Sequence, residues 1–108
     1  MKLMKENELF RGWFVGDFDP SIFKTENCEV AVKRYKKGDY EEFHHHKIST
    51  EITMIVSGSV EMNGIKYTEG DIILIDPNEG TDFKALEDTT NVVVKVPCTK
   101  NDKYIGEY

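Results

Sequence analysis

Three adjacent histidines, His44-His45-His46, stand five residues before Glu51. Tyr40 to His46 has the composition of an extended segment, and in a strand successive side chains face opposite ways. His44 and His46 therefore share one face, and His45 points away to bond elsewhere. Two imidazoles one residue apart on one face can reach a single ion. Glu51, near the start of the next β-rich run, can supply a carboxylate oxygen from across the gap. Imidazole plus carboxylate is a ligand set for iron, manganese, zinc, nickel or copper. A metal held this way with open positions is a Lewis acid that polarises a carbonyl, stabilises an enediolate or activates dioxygen.

The elements that would position these groups read as short strands. Cys28 to Lys36, Tyr40 to His46 and Thr50 to Val56 come first, with Ser57-Gly58 as a break or bulge. Val60-Glu61-Met62 and Ile65-Lys66-Tyr67 flank Asn63-Gly64, a two-residue signal for a type I′ hairpin. Asp71 to Ile75, Thr81 to Leu86 and Asn91 to Val96 complete the set. No stretch after Cys28 carries a helical apolar stripe, so the pattern predicts an all-β sandwich or closed barrel in one domain. Residues 1–27 read as a segment packing on the barrel, 28–100 as the barrel, and 101–108 as a polar surface tail. Within the first segment Trp13-Phe14-Val15 reads as an edge strand. Asp19-Pro20-Ser21 reads as the start of one helical turn. Trp13 and Phe14 are expected to cover a barrel edge or a dimer contact.

The spacing Gly38, five residues, His44-x-His46, four residues, Glu51, six residues, Gly58 resembles the first motif of the cupin superfamily at every fixed position. The resemblance implies a jelly-roll β-barrel with His44, His46 and Glu51 as metal ligands inside it. The second cupin motif is matched less well. Gly70-Asp71 and the run to Ile75 fit, but Asp76 precedes Pro77 and no His follows Gly80. Counting from Gly70 places Thr81 at the fourth ligand position; counting from Pro77 places Asp82 there. Asp82, Thr81 or water fills it.

Cupins include isomerases, epimerases, dioxygenases, lyases and plain ligand-binding proteins, and the fold does not choose between them. The resemblance implies a metal-dependent enzyme acting on a small polar metabolite, such as a sugar or oxo-acid derivative. The alternatives are a non-catalytic sensing cupin, and a metal-free nucleotide-sugar isomerase or epimerase using the His pair as base. Tyr35 and Lys33 share a strand face that the resemblance turns into the barrel. There Tyr35 moves a proton and Lys33 holds an anionic substrate. Glu79 is a second candidate for proton transfer, and Thr53, two residues after Glu51, for lining the cavity.

Composition sets the remaining bounds. Of 108 residues, 39% are hydrophobic and 31% charged, an ordinary globular mixture. A net charge of −6 repels phosphate backbones, which argues against nucleic acid as partner. Cys28 and Cys98 match no metal or redox spacing and read as reduced thiols. The absence of a long apolar run or signal-peptide core predicts a cytoplasmic protein without membrane contact. A small barrel with open edges is expected to pair as a homodimer.

Overall fold

A computed structural model of the chain describes residues 1–106. Ten strands follow one 3-10 turn at Glu6–Glu8: β1 Trp13–Val15, β2 Glu29–Tyr35, β3 Tyr40–His46, β4 Thr50–Ser57, β5 Ser59–Met62, β6 Ile65–Thr68, β7 Ile72–Ile75, β8 Gly80–Ala85, β9 Thr89–Val96 and β10 Lys103–Ile105. They form two five-stranded sheets in the orders β1-β2-β9-β4-β7 and β10-β3-β8-β5-β6. Every strand pairing within the sheets is antiparallel. The two sheets face one another as the walls of a jelly-roll barrel. No helix among the described residues is long and apolar enough to cross a membrane.

Local sequence explains most boundaries. Asn63 and Gly64 both take positive φ, 50° and 78°, the geometry a type I′ turn requires, and join β5 to β6. Gly58 has φ 93°, and a Cβ there would run into Thr89. It ends β4 beside a register shift between Ile55 and Ser57. The alternation along β4 and β8 turns Ile55, Phe83 and Ala85 inward. Ile55, Val60, Met62, Ile75 and Phe83 form one buried cluster that closes one end of the barrel, with Tyr35, Tyr67 and Ile73 packed on it. Fully burying an Ile or Val contributes about 1.5–3 kcal/mol, so this end is a main source of stability.

Both flanks differ from the sequence expectation in part. Trp13–Val15 is an edge strand as expected, paired with β2. No helical turn starts at Asp19, where the chain bends through a cis Asp19-Pro20 bond; the single short helical turn among the described residues lies earlier, at Glu6–Glu8. Arg34 holds that turn through two hydrogen bonds to the Glu6 carboxylate, at 2.8 and 2.9 Å. The segment expected as a surface tail instead supplies β10, which pairs with His44–His46 of β3. Asp102 just before it is buried. Residues 107 and 108 of that segment lie outside the described residues. Cys28 and Cys98 are free thiols.

Candidate functional site

The histidine strand lies between β8 and β10 in its sheet, and this position fixes its rings. His44 Nδ1 lies 3.0 Å from the Glu42 carbonyl oxygen, and His46 Nδ1 lies 2.8 Å from that of Asp102. A carbonyl only accepts, so each Nδ1 carries the proton and each Nε2 keeps its lone pair. The two rings sit 5.5 Å apart, nearly perpendicular at 85°. All three histidines are buried. His45 turns to the opposite side, as alternation requires, where its Nδ1 meets the Gly106 carbonyl at 2.7 Å and its ring stacks on Tyr104.

Glu51 faces these rings from β4. Its Oε1 is 3.5 Å from His46 Nε2, a contact without hydrogen-bond geometry, and its Oε2 accepts from the Thr53 hydroxyl at 3.1 Å. His46 Nε2 is buried with no hydrogen-bond partner. Burial alone would raise the Glu51 carboxyl, but His46 when its ring carries a second proton, the Lys95 charge and the Thr53 hydroxyl overcome it and hold the group below the ordinary carboxylate range. Burial, aided by the Lys103 charge, pushes His44 down, which favours the neutral ring.

Of these groups His44, Glu51 and Thr53 line a cavity of about 240 Å³ whose walls also include Tyr35, Glu41 and Thr81. His46 lies behind that wall and opens instead on a shallow pocket beside Ser49 and Asp102. Tyr35 packs against Phe83 with ring centres 4.6 Å apart and planes tilted by 39°, and donates to Glu41 Oε1 at 3.4 Å. Burial, with the nearby Glu41 charge, pushes the Tyr35 phenol far above its ordinary value, so it stays protonated and acts as a donor. Lys33 also reaches the cavity and donates to the Arg11 carbonyl at 3.0 Å.

Two candidates from the sequence do not reach the site. Asp82 turns to the other face of β8, where its carboxylate accepts the Asn63 amide at 2.7 Å. Thr81, directly opposite His44 in the ladder, takes the inward position instead. The buried Phe83 two residues on sets that alternation, so the sequence held the signal. Glu79 is an exposed turn residue whose carboxylate accepts the Asp76 amide at 2.9 Å. Trp13 lines the cavity; Phe14 lies outside, in a groove with Leu9, Ile22 and Val32.

Glu41 and Asp102 are the residues that sequence reading missed. Strict alternation puts Glu41 on the face opposite His44, three positions away. A register irregularity in β3 between the two brings both into the cavity. Asp102 accepts the backbone amides of Lys47, Ile48 and Ser49 at 2.9 to 3.2 Å while its carbonyl orients His46. Nothing in the local sequence marks either role.

The donors fit a divalent transition metal in residue type, ring tautomer and burial, and the carbonyl contacts behind both rings are those that orient ligating imidazoles. The set is not drawn tight. As the side chains stand, no three His, Cys, Asp or Glu among the described residues converge closely enough to hold one ion.

No protein-family model matches the chain, and no curated protein is significantly similar to it. Solved structures do match. An uncharacterized conserved protein with a double-stranded beta-helix domain from Klebsiella pneumoniae is 23% identical, with a TM-score of 0.69, over 78% of this chain and 74% of its own. An RmlC-like cupin from Shewanella frigidimarina is 17% identical, with a TM-score of 0.64, over 72% of each chain. Oxalate decarboxylase from Bacillus subtilis, a protein with Mn(II) centers, is 22% identical at a TM-score of 0.62, over 75% of this chain but 24% of its own. At such identities the likeness speaks to architecture. The chain has the cupin fold, a double-stranded β-helix in one domain.

Proposed function

We propose that this cupin is a small metal-dependent enzyme, of isomerase, epimerase or dioxygenase type, acting on a small polar metabolite. His44, His46 and Glu51 hold a divalent transition metal in this reading. The observation that carries it is a pair of buried imidazoles whose Nδ1 protons are engaged by backbone carbonyls, with the lone pair of His46 Nε2 unpartnered beside Glu51. The manganese of the structurally similar oxalate decarboxylase supports a metal in this fold.

When bound, the metal supplies Lewis acidity toward substrate oxygens. The surrounding residues do the rest. Thr53 fixes one Glu51 oxygen and leaves the other turned to His46. Thr81, opposite His44, is the inward group nearest the fourth cupin ligand position and leaves that position to water or substrate. Tyr35 stays protonated and donates a hydrogen bond, and the Glu41 carboxylate that receives it is the group placed to accept a proton from substrate.

Elemental analysis of protein purified without chelator tests the reading. We expect close to one transition metal per chain, and His46→Ala to lose it while circular dichroism shows the fold intact. Metal retained at wild-type stoichiometry in that variant would overturn the assignment. Oxygen uptake and solvent proton exchange with a metabolite panel then test turnover; a metal-loaded protein silent in both is a binder rather than an enzyme.

A further inference from the structure

The charge balance of the cavity is opposite to that of the chain. The chain carries −6, with 14 Lys and Arg against 20 Asp and Glu. Yet Arg11, Lys33, Lys95 and Lys103 all line the cavity, against Glu41 and Glu51 alone among the acids. With His44 neutral, that leaves an excess of two positive charges in a concave, partly desolvated space, where charges act more strongly than in water.

Two of the four cations are also held in place. Lys33 Nζ and Lys95 Nζ lie 5.0 and 5.2 Å from the centre of the same Trp13 ring, so one indole gathers two like charges. Lys33 is further fixed by the Arg11 carbonyl. Lys95 has a counter-charge in Glu29 at 3.7 Å, outside the cavity lining. Gathering like charges on one ring costs free energy in the empty protein, and an anion between them offsets that cost.

The cavity's size and walls narrow the anion. About 240 Å³ admits a molecule of a few carbon atoms and excludes a nucleotide. The walls are mainly strands whose amides are spent on ladder bonds, with no helix N-terminus to cradle a phosphate. Recognition therefore falls to side-chain charge. Resting on the reading that this end of the barrel is the substrate site, we propose that its ligand is a small carboxylate, held by Lys33 and Lys103 with Arg11 and Lys95 around it.

Calorimetric titration of chelator-treated and Mn²⁺-supplemented protein with succinate, its neutral analogue succinamide, and inorganic phosphate tests this. We expect succinate to bind the chelator-treated protein and succinamide not to. Lys33→Gln and Lys103→Gln should each weaken succinate by roughly tenfold, the value of one charge-assisted hydrogen bond, with unchanged thermal midpoints. Lys33→Arg, which keeps the charge, should retain binding if Lys33→Gln proves unstable. Equal binding of succinamide, tighter binding of phosphate, or full affinity in both Gln variants would overturn the proposal. Succinate bound only after Mn²⁺ is added, and indifferent to both lysines, would sink the carboxylate site and leave the metal reading standing. Lysine-dependent succinate binding by a protein that retains no Mn²⁺ would do the reverse.

Discussion

The two ends of this barrel are built from the same strands and do opposite work. Along the inner face of β4 the side chains run Glu51, Thr53, Ile55; along β8 they run Thr81, Phe83, Ala85. At one end the walls meet in a packed cluster of aliphatic and aromatic groups, of which Met62 and Phe83 form the floor of the cavity. At the other they stop short of each other around buried imidazoles, carboxylates and lysines. A strand changes from chemistry to packing within two or three inward positions, about 7 Å apart per pair of residues. Stability and reactivity are therefore separable along the barrel axis, and substitutions at the two ends should separate them.

Ile55→Ala, at the closed end, should have the largest effect. Ile55 is wholly buried, so its truncation should cost about 2–5 kcal/mol in denaturant unfolding. The fraction that remains folded should keep the metal proposed for His44, His46 and Glu51. Loss of metal in that folded fraction would show that the ends are coupled after all.

Asp102→Asn comes next, because the C-terminal segment ties the open end together. One carboxylate there satisfies three backbone amides in the turn between β3 and β4. Replacing it should cost about 1–3 kcal/mol. Burial pulls the Asp102 carboxyl upward, but the amides of Ser49, Lys47 and Ile48 outweigh it and hold the group below its ordinary value of 3.8. With the folded value depressed, its contribution is complete above the unfolded value and is lost as pH falls through the folded one. The stability gap between wild type and Asp102→Asn should therefore be full at neutral pH and shrink below pH 3.8. A pH-independent gap would remove the carboxylate from the account.

Thr53→Val sharpens the comparison from inside the open end. It removes one hydrogen bond to Glu51 and should cost about 1 kcal/mol. Its metal affinity should fall by roughly tenfold, the scale of a lost outer-shell contact to a ligand. Unchanged affinity would show that Glu51 needs no such support.

The smallest effect on folding is expected on the outer face of the sheet containing β4 and β7. Ile52, Met54, Ile72 and Leu74 lie side by side there, and Ile72 and Leu74 are 65% and 56% exposed. A homodimer that covers this aliphatic strip is a second candidate contact beside the Trp13 segment. Leu74→Lys should change stability by no more than about 0.5 kcal/mol. It should convert a self-associating wild type to monomer in sedimentation velocity; a wild type that sediments as monomer would dispose of this contact.

The sequence alone determined the strands and the central site pair. β-branched runs punctuated by Gly, Asn and Asp locate the eight strands from β2 to β9 because each depends on local backbone preference. The two-residue period puts His44 and His46 on one face for the same reason. What tertiary structure decided were the positions that no local rule reaches. A register irregularity in β3 brings Glu41 to the side of His44, against simple alternation. Asp82 faces away because β8 must bury Phe83, and Thr81 goes inward with it. The polar residues after Lys100 become β10 and a buried Asp102 because the His-bearing strand has an open edge whose hydrogen bonds must be met. Lysines distant in sequence gather at one Trp ring only once β1, β2 and β9 pair side by side in one sheet. Short-range periodicity is written in neighbours along the chain; convergence across a barrel depends on how strands pair, and a single sequence does not spell that out.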